Sequence, residues 1–185
     1  MNASRGILVL LGLLGAASIL GAENRQTDYI SRVFRDAAYL PTVYDEADVL
    51  RRYGEGNGSI DEVGLLRRTY RDSSTGFEVV ITSNPDISPA FRTIDEIRVS
   101  SISTGRQGAG TTEGLAGLNL KGVVIGDPLS KAISVARSYG SLDRSHEKLG
   151  RFDVERVCGF SDGGSNICFF VHENRVLAMA VGFGP

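Results

Sequence analysis

Gly159-Phe-Ser161-Asp-Gly163 has the Gly-x-Ser-x-Gly spacing of serine hydrolases, where a strand turns sharply into a helix and exposes the serine as a nucleophile. Here the neighbouring residues predict a strand turning back into a strand, with Cys158 and Cys168 on either side. The downstream base would be His172, and the carboxylate between it and Ser161 is Asp162. A carboxylate adjacent to the serine is poorly placed to orient a histidine on the far strand. The motif therefore reads as a hairpin tip, and no catalytic residue is assigned. His146 and His172 lie 26 positions apart, which is no zinc-ligand spacing. The acidic groups Asp45/Glu46/Asp48 and Asp61/Glu62 fall at a helix start and in a loop, where they favour the helix dipole or solvent. Gly105 to Gly117 holds five glycines, but no Gly-Lys-Ser/Thr follows and a strand is expected before the next helix. It reads as a linker rather than a phosphate cradle, so neither a metal nor a cofactor is assigned. Asn57-Gly-Ser59 is a glycosylation sequon only in a eukaryotic host.

The elements that must position these residues begin with one outside the fold. Arg5, an apolar run from Ile7 to Leu20 and the small Gly21-Ala22 have the layout of a secretory signal peptide, residues 1–22, cut after Ala22. The run is short for a bilayer core of ~30 Å. No cysteine stands at position 23 to carry a lipid anchor. The mature chain would have 163 residues (185 − 22) and a net charge near −3 (19 basic, 22 acidic). That size suits one domain or two fused half-domains. Mild acidity without a basic run argues against nucleic acid or an anionic membrane as partner, and no second stretch is apolar enough to span a bilayer. The reading is a periplasmic or secreted protein.

In that compartment the cysteine pair reads as a disulfide. A hairpin centred on Gly163 sets Cys158 opposite Cys168, where directly opposed Cα atoms lie ~4.5 Å apart, within bonding reach. A redox pair would want a helix N-terminus or a Cys-x-x-Cys spacing, and neither is present.

Along the rest of the chain, Ile30, Val33, Phe34 and Ala37 form the apolar face of a first helix within residues 23–40. A second, from Thr42 to Tyr53, buries Val43, Ala47, Leu50 and Tyr53 and ends at Gly54. Glu55 to Ser59 is a loop. Strands follow at Leu65–Arg71, Gly76–Thr82 and Ile94–Ser101. After the linker come a short strand at Leu118–Ile125 and a helix capped by Asp127, with Leu129, Ala132, Ile133, Ala136 and Tyr139 on its buried stripe. A charged segment, Ser141–Gly150, reads as a solvated helix around His146. The last strands are Phe152–Phe160, Asn166–His172 and Arg175–Phe183, joined by tight turns.

A shift of 86 residues lays the later helix on the earlier one, apart from Ala132, which falls on Glu46. The expected fold is therefore α+β: a tandem, duplicated helix–three-strand unit, its antiparallel sheet covered by helices on one face. The first repeat spans residues 23–104, a Gly-rich linker 105–117 and the second repeat 118–185. Alternation along the strands places Arg156, Phe170 and His172 on the uncovered face with the disulfide, joined by Glu78, Glu96 and Arg98 from the first copy. Such a face suits a protein partner.

Val124-Ile-Gly126-Asp127 through Tyr139-Gly140, with its echo at Thr42 to Gly54, resembles small exported α+β modules. The BamE-type outer-membrane assembly proteins and the tandem beta-lactamase inhibitory proteins are the families in question. The resemblance implies envelope assembly or enzyme inhibition as the kind of role, with another exported or envelope protein as partner. It carries over no inhibitory residue, and the chain departs from it in having no Trp and one Cys pair. Two other classes compete: a secreted enzyme using the Gly-rich loop and His172, and a binder of small apolar ligands beneath Phe169 and Phe183.

Overall fold

A computed structural model describes residues 30, 33–35, 45–102, 111–112 and 115–183. The predicted signal peptide, most of the helix predicted within 23–40, and most of the predicted linker lie outside the described residues. Of its predicted apolar face, Ile30, Val33 and Phe34 are described, and all three are buried.

Among the described residues, helices α1 (Glu46–Tyr53) and α2 (Leu129–Tyr139) accompany nine strands. The strands are β1 (Asn57–Ile60), β2 (Leu66–Asp72), β3 (Glu78–Ser83), β4 (Ile94–Ser100), β5 (Thr111–Thr112), β6 (Ser141–Leu149), β7 (Phe152–Phe160), β8 (Asn166–His172) and β9 (Arg175–Gly182). Eight of them form one antiparallel path in the order β1-β2-β3-β4-β9-β8-β7-β6, while β5 runs parallel to the end of β2. This corrects the expected tandem α+β arrangement of helix–three-strand units. The fold is dominated by a single continuous sheet, with short helices of 8 and 11 residues.

Two strands of that path were not expected, and they are its two edges; the short β5 lies in the predicted linker. β1 occupies part of the predicted loop, and β6 replaces the predicted solvated helix. An edge strand has a neighbour on one side only, and charge along it discourages further pairing. Leu142 and Leu149 are the only apolar residues of β6, so it carries no readable apolar alternation. The strand predicted at Leu118–Ile125 reduces to a single bridge between Leu120 and Val123.

One face of the sheet carries the larger core, in which Tyr70, Ile81, Ile97, Phe169, Met179 and Val181 pack with Val49 of α1 and Ala132 and Ala136 of α2. The stripe predicted for α2 is the one that packs. That of α1 is rotated: Glu46 and Val49 are buried, whereas Ala47 and Leu50 are partly exposed. Asp127 does not cap α2. Pro128 takes that position, and the Asp127 carboxylate accepts the Val124 N–H at 2.8 Å and pairs with Lys131 at 2.7 Å.

The second face holds a smaller cluster around Leu149, Val154, Phe170, Ala178, Ala180 and the Cys158–Cys168 bond. The cysteines are directly opposed, with Cα atoms 4.1 Å apart, as the hairpin register predicts. Phe152, Phe160, Leu177 and Ile102 pack against this cluster, so the face expected to be bare is covered at its centre.

The Gly-x-Ser-x-Gly motif has a packing explanation. A Cβ on Gly159 would overlap the Ala136 carbonyl, and one on Gly140 would overlap the Phe160 carbonyl. The C-terminal end of α2 thus rests on bare backbone of β7. Ser161 belongs to the turn: its Oγ donates to the Ser165 carbonyl at 3.1 Å and lies 2.8 Å from Ser165 Oγ. Gly159→Ala is expected to destabilise by at least ~1–3 kcal/mol through forced repacking. Gly163→Ala, whose Cβ would meet Ser161 Oγ at an ordinary 3.8 Å, should change stability by no more than about 0.5 kcal/mol. Urea unfolding midpoints at constant slope check both.

Candidate functional site

The predicted face residues are spread over the second face. Phe170 and Glu78 are buried, at 2 % and 3 % exposure. Arg98, on the central strand β4, lies over the Phe170 ring at 5.6 Å. Glu96 flanks it on the same strand and is half-buried. Arg156, further along the sheet, sits 4.0 Å from the Glu147 carboxylate and 3.9 Å from Cys168 Sγ. His172 Nδ1 contacts the Asp153 carbonyl at 2.9 Å, and its ring meets Phe152 edge-on. Arg98 and Phe170 are thus brought together, with Arg156 the register partner of Phe170 on β7, whereas His172 makes separate contacts towards the β6–β7 edge.

On this face a half-open cleft of about 860 Å³ crosses from the β1–β2 turn to the tip of the β6–β7 hairpin. Its lining includes Ser59, Asp61, Val63, Arg67, Arg98 and Lys148. Strand twist carries the two edges towards each other over the concave side. Asp61 shapes the rim, its Oδ1 accepting the N–H groups of Val63 (3.0 Å) and Leu65 (2.9 Å) while Arg67 Nε lies 2.8 Å from its other oxygen. Burial works against the Asp61 charge, but those N–H groups and Arg67 hold its carboxyl below the usual carboxylate range. Lys148 is matched by Asp153 at 2.9 Å. Among the described residues, no group of three or more His, Cys, Asp or Glu is placed to hold a metal ion.

A buried charge with three side-chain partners lies on the opposite face. Glu46, 1 % exposed, bonds Arg68 Nε through Oε1 at 2.9 Å and Arg92 Nη1 through Oε2 at 3.1 Å. Ser83 Oγ donates to Oε1 at 2.9 Å. One carboxylate therefore joins α1 to β2, to the end of β3 and to the β3–β4 connection. Beside it, Tyr70 Oη donates to the Gly54 carbonyl at 2.9 Å. Gly56, at φ +63°, leaves room against the same ring.

Sequence reasoning missed this centre and the loops beside it. Ile60, Val63, Ile87 and Phe91 are four of the five large apolar residues exposed among the described residues. The register Ile60↔Leu66, Leu66↔Ser83, Ser83↔Ile94 puts the β1–β2 turn and the β3–β4 loop at one end of the sheet. They stand about 10 Å apart, two strand spacings. The available signals were an acidic residue in an apolar helix stripe and an aromatic between prolines and the next strand.

Comparison with known proteins finds no matching family, no similar curated protein and no similar solved structure.

Glu46→Ala should destabilise by about 3 kcal/mol, because it leaves the buried Arg92 guanidinium without a carboxylate and Arg68 with Glu55 alone. Chemical unfolding measures this. Burial, with the Glu46 and Glu55 charges adding and Arg68 opposing, pushes the Tyr70 phenol up to about 12. Its unfolded value is about 10. The folded state therefore keeps a proton that the unfolded state loses. This contribution is complete below about pH 10 and disappears as pH rises towards 12. Ultraviolet titration should show a late-titrating tyrosine that Tyr70→Phe removes.

Proposed function

We propose that this chain is an exported, non-catalytic module that binds another exported or envelope protein, in the periplasm or outside the cell. The resemblance of its α2 segment to envelope-assembly and inhibitor modules supports that kind of role. So does the Cys158–Cys168 disulfide, a bond at home in oxidising compartments. Among the described residues, no helix is long and apolar enough to cross a membrane.

The observation that carries the reading is the gathering of Ile60, Val63, Ile87 and Phe91 at one end of the sheet, with Val63 and Phe91 each 78 % exposed. Single exposed apolar residues are ordinary on a protein surface, but four at one end of a sheet, two of them lining a charged cleft, have the composition of a docking surface. The charged neighbours Asp61, Arg67 and Lys148 would form its polar rim.

A photo-reactive phenylalanine analogue placed at position 63, in the exported form of the protein, tests this against the exported fraction of the source cells. The expected result is a discrete adduct that excess unlabelled protein removes. The same probe at position 137, on the exposed side of α2, should give none. Diffuse labelling of equal strength at both positions contradicts the reading.

A further inference from the structure

The β3–β4 loop combines exposure with restraint. Residues 86–91 are all exposed, and Arg92, which follows them, is 8 % exposed. The Arg92 guanidinium turns back beneath the loop and donates to the Ile87 carbonyl from Nε (3.1 Å) and Nη2 (2.9 Å), and to the Pro85 carbonyl from Nη2 (3.1 Å). Its Nη1 is held by Glu46. The Arg92 carbonyl accepts the Glu46 N–H at 2.9 Å, and Thr93 bridges Asp45. At the other leg, Asn84 Oδ1 accepts the Asp86 N–H at 2.9 Å and Ser83 is bound to Glu46. Within the loop the Ser88 carbonyl accepts the Phe91 N–H at 2.9 Å, and Pro85 and Pro89 each fix a backbone torsion.

An aromatic carried on a mobile loop loses backbone and rotamer freedom when it docks. On a braced loop most of that loss has already occurred during folding. Phe91 gains little from the fold at 78 % exposure, yet the segment carrying it is braced by side-chain bonds from Arg92 and Asn84. A projecting loop fits a concave partner surface. Asp86, exposed at its shoulder, forms no ion pair among the described residues.

We propose that this loop is a pre-set anchor. Phe91, flanked by Ile87, inserts into an apolar pocket of the partner protein, and a basic group on that pocket's rim meets Asp86. The anchor rests on the binding-module reading above and specifies the partner surface.

Two measurements on the exported protein test it. Nitrogen relaxation should give the amides of Asp86, Ile87, Ser88 and Phe91 order parameters near ~0.85, like those of a rigid backbone, falling below about 0.6 in Arg92→Lys, which keeps the charge but loses the fork. In the capture assay through position 63, Phe91→Ser should raise the half-saturating concentration about thirtyfold, the loss of one aromatic hot spot, with an unchanged unfolding midpoint. Arg92→Lys should raise it severalfold. A wild-type loop with order parameters below about 0.6 overturns the anchor and leaves the module reading standing. So does an adduct at position 63 that Phe91→Ser does not weaken. Absence of any adduct at position 63, with the loop rigid, overturns the module reading and the anchor with it.

Discussion

A carboxylate taken out of water is tolerated only when charge and hydrogen bonds replace its hydration. Glu46 meets that condition with two guanidinium groups and a hydroxyl, drawn from β2, from β3 and from the connection into β4. Because each partner must arrive with its geometry satisfied, the carboxylate fixes where α1 begins relative to the sheet. It also fixes how the β3–β4 loop leaves the sheet. In the other half of the molecule, helix meets sheet by close approach instead, with Ala132 and Ala136 buried and glycine backbone beneath the end of α2. The polar contact holds direction and the apolar contact holds area. The proposed docking end lies on the side where direction is held.

The sheet that both helices rest on has apolar residues on each face. The larger cluster lies under the helices, and the smaller one surrounds the disulfide on the concave side. Twist brings the β1–β2 turn and the β6–β7 hairpin tip to a common cleft although their strands are the two ends of the path. The central strands β4 and β9 join the halves through five paired positions, from Glu96↔Gly182 to Ser100↔Ala178.

The sequence was legible where one face of a strand is buried. Phe152–Phe160 and Asn166–His172 have the bounds their alternation predicts, and the hairpin arithmetic places the two cysteines opposite each other. It was illegible at the edges. Asn57–Ile60 and Ser141–Leu149 owe their pairing to a neighbour rather than to their own pattern, and without them the sheet reads as two three-stranded pieces. The Asp127–Pro128 start of α2 was read one residue out of place, because the aspartate serves Val124 and Lys131 instead. At the candidate site, Arg98 lies over the Phe170 ring, and the covering of that face by Phe152, Phe160 and Leu177 depends on tertiary packing. Glu46 was read as a dipole-favouring residue of a first helical turn. A charge that finds its partners 22 and 46 positions away leaves no local trace.

The central claim is that Glu46 and Arg92 act as one unit, so that removing either removes the same restraint. A double-mutant cycle built from Glu46→Gln, Arg92→Lys and the pair, read by chemical unfolding, tests this most directly. The account predicts a coupling energy of roughly 1–3 kcal/mol. Effects that add to within about 0.3 kcal/mol would mean the two residues contribute independently, and would contradict the claim.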